Sequence, residues 1–369
     1  MTQRDLIVAA LLAPESLSSL SMMDWDLLIR QGRRASLLAR LAYLLVQNGE
    51  IDTVPGSPRL HLISALRMVE RQDVAIRWEV DCIQKALADV GGKIILLKGA
   101  AYAMAGIPAA IGRTFSDTDI LVSKHHLTEV ESELMLHGWQ GTHHDEYDQR
   151  YYRRWMHEIP PMRHVRRGTI IDVHHTILPE TARIKVNTPA LLEAVVALPG
   201  YTNLFVLKPV EMLLHSATHL FHEGGLENGL RDLFDLDSMF RYFGDDPGFW
   251  SALVPRAAEL GLTRPLYYAI RFSTSMLDTP IPKDVIRAAK IGKPPQIIAR
   301  LMDFCYLRAL RPAHGSCTTP GTGLARAALY IRSHWIRMPF PLLAYHLARK
   351  AFLRPKQLPV ETAITPKEE

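Results

Sequence analysis

The sequence predicts an α/β (α+β) fold: a core with a small mixed sheet, flanked by N-terminal helices and a larger C-terminal helical domain. Three observations carry this reading. Over residues 4–49, Trp25, Leu27, Leu28, Leu37, Leu38, Leu41, Leu44 and Leu45 recur at three- and four-residue intervals, the spacing of a helix face. The period then changes to short apolar runs of strand length at 93–97, 119–122 and 169–173. From Pro209 onward helical spacing returns through Leu213, Leu214, Leu220, Leu233, Leu236, Met239 and Phe240. The expected division is 1–90 as an N-terminal helical segment, 91–180 as the α/β core, 181–355 as the C-terminal helical domain and 356–369 as a flexible tail.

Each element has a local reason. Pro55-Gly56-Ser57-Pro58 breaks the first helical region, and a long helix over about 60–90 ends at Gly91-Gly92. The strand at 93–97 leads through a glycine turn into a helix over 99–105. The strand at 119–122 is followed by a helix over 125–137 that Gly138 ends. Arg166-Arg167-Gly168 reads as a hairpin turn feeding the strand at 169–173. Further helices are expected at 248–277, 283–290 and 295–310, then a loop at 315–323 and a basic amphipathic segment at 324–353.

The chain has 369 residues, 48% apolar and 22% charged, enough for a real core and incompatible with wholesale disorder. Forty-three Lys and Arg against 38 Asp and Glu leave a formal charge of +5, which suits a protein handling phosphate or nucleic acid without requiring either. Cys82, Cys305 and Cys317 form neither a disulfide framework nor a metal-ligand spacing, so a reducing compartment is expected. The N-terminal apolar stretch carries Asp5 and no basic leader and reads as a helix of the mature protein. With no segment of membrane-spanning length, the expectation is a soluble, cytoplasmic protein.

The chemistry concentrates in Leu96-Leu97-Lys98-Gly99 and in Arg113-Thr114-Phe115-Ser116-Asp117-Thr118-Asp119-Ile120-Leu121-Val122. Side chains at i and i+2 of a strand share a face, so Asp117 and Asp119 present two carboxylates together. Such a pair repels unless a cation lies between, and hard oxygen donors favour Mg²⁺ or Mn²⁺. Taken alone, an Asp-x-Asp is also the signature of a polar turn capping a strand. Two features weigh against that reading here. The glycine turn some twenty residues earlier opens a helix whose N-terminal amides suit a phosphate. A third carboxylate, Asp172, lies in Thr169-Ile170-Ile171-Asp172-Val173-His174-His175, on a strand able to pair beside the first two. Three carboxylates and a phosphate turn form a layout for two-metal phosphoryl or nucleotidyl transfer.

This ordered set resembles the bacterial uncharacterised nucleotidyltransferase family, a branch of the DNA polymerase beta-like nucleotidyltransferase superfamily. Lys208-Pro209-Val210-Glu211-Met212-Leu213-Leu214-His215, with His219 and Arg231-Asp232-Leu233-Phe234-Asp235-Leu236, resembles the helical half of that family. The resemblance covers roughly residues 20–245. It implies that Asp117 and Asp119 are paired metal ligands. Asp172 would be the third carboxylate, which helps hold the metal or accepts the proton of the attacking hydroxyl. Gly99 would be the turn under the triphosphate, although Lys98-Gly99-Ala100 stands where a Gly-Ser form is widespread. Lys98 and Arg113 are then candidates for the β- and γ-phosphates, Arg113 being equally readable as an ion-pair residue.

Of His174 and His175, alternating along the strand, one is expected to face the cleft beside Asp172 and the other to pack outward. His215, His219 and His222 share one helix face with Glu211 a turn earlier; a zinc site is conceivable, and structural or cleft-lining histidines are the favoured reading. His143-His144 reads as a solvated loop. Arg326, Arg332, His334, Trp335, Arg337, Tyr345, His346, Arg349, Lys350 and Arg354 could make an RNA-binding or membrane-surface helix. The favoured reading is an amphipathic helix with solvated arginines and with Leu329, Trp335 and Leu343 inward. No Gly-x-Ser-x-Gly elbow, Walker A loop or dinucleotide fingerprint is present. The expected function is metal-dependent transfer of an NMP from an NTP to an acceptor hydroxyl, the acceptor being a small molecule, a protein or RNA. The alternatives are a non-catalytic nucleotide-binding regulatory module and a toxin-like enzyme that adds nucleotides to tRNA.

Overall fold

Ser21 caps the second N-terminal helix reciprocally: its Oγ accepts from the Asp24 amide at 3.2 Å, and the Asp24 carboxylate accepts from the Ser21 amide at 3.1 Å. The structure is a computed structural model and describes residues 5–142, 149, 152–153, 155–222 and 224–339. The N-terminal stretch is divided into α1 (Leu6–Leu12), α2 (Met22–Arg34) and α3 (Leu38–Gln47), followed by α4 (Gly56–Ala86). The apolar stripe read from the sequence is the inner face: Trp25, Leu28, Leu37, Leu38, Leu41 and Leu45 are all buried.

The sheet begins with β1 (Ile94–Leu96), which leads into α5 (Lys98–Ala105), then β2 (Thr118–Leu121) and α6 (Leu127–Leu136). Next come β3 (Trp139–Gly141), β4 (Met162–His164) and β5 (Ile170–His174). A short helix α7 (Thr188–Glu193) precedes β6 (Val195–Ala197) and β7 (Leu204–Leu207). The seven strands form one mixed sheet in the order β3-β4-β5-β2-β1-β7-β6. β1 is antiparallel to β2 and parallel to β7, and β2 is parallel to β5. The central strands β1 and β2 are buried along their whole length, which explains why they read as continuous apolar runs rather than as alternation.

The sheet extends past the boundary expected at 180, because β6 and β7 add an antiparallel pair beside β1. Beyond it run α8 (Pro209–His222), α9 (Gly229–Phe243), α10 (Pro247–Glu259), α11 (Thr263–Leu277), α12 (Lys283–Ala288), α13 (Gln296–Ala309) and α14 (Thr322–Arg337). One contiguous apolar cluster runs from Ile7 of α1 through the sheet to Leu329 of α14. A half-buried ion pair between Arg311 and Asp5, with Nε to Oδ2 at 2.8 Å, joins the two ends.

On α14 the expected pattern holds for Leu329, which is buried. It fails for Trp335, which is 42% exposed and stacks under the Arg183 guanidinium at 4.2 Å. Arg332 is not solvated either: its Nη1 donates to the Phe221 carbonyl at 2.9 Å and to the Tyr306 hydroxyl at 3.1 Å. Among the described residues no helix is long and apolar enough to cross a membrane. The His143-His144 loop, Tyr345 to Arg354 and the tail at 356–369 lie outside the described residues.

Candidate active site

Strand register brings the carboxylates together. Asp119 of β2 lies opposite Asp172 of β5, and Leu121 lies opposite His174. Asp119, Asp172 and His174 therefore share one face of the sheet. Asp117 precedes β2 at the mouth, half-buried, and its Oδ1 accepts from the Ser116 hydroxyl at 2.8 Å.

The two in-register carboxylates have opposite surroundings. Asp119 is 3% exposed, and its Oδ1 accepts from Lys98 Nζ at 2.8 Å and meets His174 Nε2 at 3.0 Å. Burial pushes its carboxyl up, but the Lys98 ammonium and the His174 ring outweigh that and hold it well below the usual carboxylate range. Asp172 has no such partner, and its Oδ1 is buried without a hydrogen bond. Burial, together with the charges of Asp119 and Glu158, pushes its carboxyl up to about 7.

The turn after β1 puts charge over this face. Lys98 takes the left-handed region at φ 46°, a conformation that costs a non-glycine residue about 1–3 kcal/mol and persists where its surroundings enforce it. Here the enforcing contact is the ion pair to Asp119. Gly99 follows, and the missing side chain is needed: a Cβ there would collide with the Arg113 guanidinium and lie 2.8 Å from the Phe115 ring. Arg113 is 8% exposed and lies across the Tyr102 and Phe115 rings at 5.5 and 5.7 Å. Its Nε donates to Asp235 Oδ2 at 2.8 Å, while Arg40 Nη2 donates to Asp235 Oδ1 at 2.7 Å. So Arg113 is an anchored, buried cation and not a surface ion-pair residue. Lys98, Gly99, Arg113, Asp117 and Asp119 all line one cleft of about 170 Å³, with Arg231 and Asp232 of α9 on the opposite wall.

The histidines occupy the floor behind Asp119. His174 is the one that faces the site, meeting Asp119, while His175 alternates away from that face and is buried rather than solvent-facing. The His175 amide donates to the His157 carbonyl at 2.9 Å, which pins the segment before β4 alongside the end of β5. His215, His219 and His222 line a second, smaller cavity together with His157 and His174. Burial lowers His215 and His222 to about 3 and drives His219 well below the ordinary value, so all three are neutral imidazoles near pH 7. Glu211 is turned away and accepts from Arg256 Nε at 2.5 Å. Among the described residues, the three or more His, Cys, Asp or Glu side chains whose donor atoms converge are His157, Glu158 and His174, not the α8 histidines and not the three aspartates.

With this geometry established, sequence comparison places the chain. The model of the uncharacterised nucleotidyltransferase family matches residues 21–278, well over half of the chain and all of the cleft residues. The chain belongs to this family. No curated protein matches it in sequence. Among solved structures, the crystal structure of an antigenic nucleotidyltransferase-like protein from Paracoccidioides brasiliensis is 15% identical. The match covers 59% of this chain and 95% of that one, with a TM-score of 0.27, a likeness that carries no weight for the site.

Membership of the nucleotidyltransferase family fits the sheet face that holds Asp119 and Asp172. Three residues at or next to the cleft had no role assigned from sequence. Asp235 lies 122 residues from its partner Arg113, although it sits in the Arg231-Asp232-Leu233-Phe234-Asp235 stretch that carried the resemblance. His157 and Glu158 lie in a stretch with no regular period, and backbone pairing with the end of β5, through the Glu158–His174 bridge and the His175 amide, brings them to the site.

Proposed function

We propose that this protein is a metal-dependent nucleotidyltransferase that moves an NMP from an NTP to an acceptor hydroxyl and releases pyrophosphate. The observation that carries the reading is the in-register pair Asp119 and Asp172, with the buried Asp172 Oδ1 left without a hydrogen-bond partner. An orphaned carboxylate oxygen beside a second carboxylate fits a divalent cation, so the residues suit Mg²⁺ or Mn²⁺, held by Asp117, Asp119 and Asp172. When bound, that ion supplies charge neutralisation for the triphosphate and for the charge that develops at the reacting phosphorus.

The remaining work belongs to side chains of this chain. The first-turn amides of Lys98, Gly99 and Ala100 at the start of α5 suit a phosphate group, and Lys98, paired with Asp119, sets a cation beside them. Arg113, fixed by Asp235, Tyr102 and Phe115, offers preorganised positive charge at the same turn. Asp172 either completes the ion's carboxylate set or, left free of the ion, takes the proton of the attacking hydroxyl, and His174 holds Asp119 in place from behind.

One observation favours a second reading, a nucleotide-binding module without turnover. Asp119 Oδ1 is already claimed by both Lys98 and His174, which leaves Oδ2 for any cation. Label transfer from each of the four α-labelled NTPs, with Mg²⁺ or Mn²⁺, into cell extract separated into RNA, protein and small-molecule pools decides between them. An Asp117→Ala/Asp119→Ala double variant runs beside the wild type. Label entering one pool with wild type alone supports transfer and identifies the acceptor class, RNA included. Nucleotide binding without label in any pool supports the module.

A further inference from the structure

We propose that His157, Glu158 and His174 form a second metal site, distinct from the aspartates, that takes a zinc-class ion. The donor atoms of these three side chains all lie within 4.8 Å of one another. His174 Nδ1 is 3.4 Å from Glu158 Oε2, and His157 Nε2 is 4.0 Å from the same oxygen. Zinc bonds of about 2.0–2.1 Å in tetrahedral geometry place donors about 3.3 Å apart. The His174–Glu158 edge already has that length, and the His157 edges, 4.0 Å to Glu158 and within 4.8 Å to His174, shorten on binding.

Two further features point to a metal ion. His174 presents Nδ1 to Glu158 while its Nε2 meets Asp119 Oδ1 at 3.0 Å, the carboxylate–histidine–metal arrangement that fixes ring orientation and tautomer in metal sites. His157 and His174 also border a cavity of about 20 Å³ shared with His215 and His219. That volume holds a single water, enough for one open coordination position and far too small for a phosphate. Two imidazoles and one carboxylate with an open position form a ligand set for zinc-class ions, not for Mg²⁺. Lys98 and Arg337 also border the cavity, and Lys98 is neutralised there by Asp119.

The test is Zn²⁺ and Co²⁺ titration of tag-free, chelator-stripped full-length protein, read by bound-metal stoichiometry and by the visible absorption of Co²⁺. The expected result is one ion per chain, retained in excess Mg²⁺. His157→Ala should lose it, Glu158→Gln should weaken it severely, and Asp119→Asn should weaken it by about 10–100-fold as an outer-shell change does. His126→Ala, on the surface beside Glu129, should bind as wild type. Thermal melts of each variant in chelator confirm folding, and Glu158→Gln keeps the side-chain shape if His157→Ala does not fold. Absence of tight binding to wild type, equal affinity in folded Glu158→Gln, or displacement by Mg²⁺ would each overturn the proposal.

Discussion

Asp119 and Asp172 face each other in register on parallel strands, yet one is held ionised by Lys98 and His174 while the other keeps a buried oxygen unpaired. The asymmetry follows from the chain path. Lys98 leaves β1 immediately above Asp119, whereas the side of β5 away from β2 meets Glu158, whose charge reinforces that of Asp119. Two identical side chains are thereby suited to different tasks, one as a permanent anion and one as a group whose protonation responds to its occupant.

Asp172 gives the fold a pH signature. Its carboxyl titrates near the ordinary 3.8 in the unfolded chain and at about 7 in the folded one, so between those values the folded state holds the extra proton. Stability therefore falls as pH rises through that window and is flat, for this group, above it. Asp172→Asn removes the effect. Urea melts from pH 4 to 8 should show the variant gaining on wild type across the window, and Mg²⁺ with NTP should shrink the gap. A stability difference independent of pH would show that Asp172 is ionised throughout.

Gly99→Ala should damage the site through packing alone. The new methyl meets Arg113 and Phe115 at the first turn of α5, and overpacking of this kind costs about 1–3 kcal/mol. Displacement of Arg113 should also weaken NTP binding. Chemical denaturation and equilibrium nucleotide binding on the same samples check both effects. Unchanged NTP affinity with lowered stability would mean that Arg113 serves the fold and not the ligand.

Asp235 is shared by two guanidiniums, that of part-buried Arg40 and that of buried Arg113. Asp235→Asn removes the carboxylate bonded to both, leaving Arg113 only the charge of nearby Asp232, and should cost about 3–5 kcal/mol. The expected readout is a matching fall in the free energy of urea unfolding, with Arg40→Met/Asp235→Asn less destabilised than the sum of its single changes.

Much of this was legible in the sequence because its signals are local. The glycine after β1 and the approach of Asp172 to Asp119 survive as geometry, since strand register follows from burial of Ile120, Leu121, Ile171 and Val173, whereas Asp117 falls just before β2 and not on it. What was not legible depends on distant pairing. β3, β4, β6 and β7 are three or four residues long, too short for a period to declare them. The partner of Arg113 and the approach of His157 and Glu158 are set by how α9 and the segment before β4 fold back, which no local pattern encodes. The inward turn of Lys98 follows from a left-handed backbone that sequence propensity alone would assign to glycine.

The most direct test of the central claim is Mn²⁺ binding in the presence of each NTP, followed by electron paramagnetic resonance, for wild type, Asp117→Asn and His157→Ala. Asp117 is the informative choice because its hydrogen bond is to Ser116 and its loss leaves the Lys98–Asp119–His174 contacts intact. The account predicts an NTP-dependent Mn²⁺ site in wild type and in His157→Ala that is lost in Asp117→Asn, with the same thermal stability in wild type and Asp117→Asn. Equal Mn²⁺–NTP affinity in Asp117→Asn and wild type would contradict it.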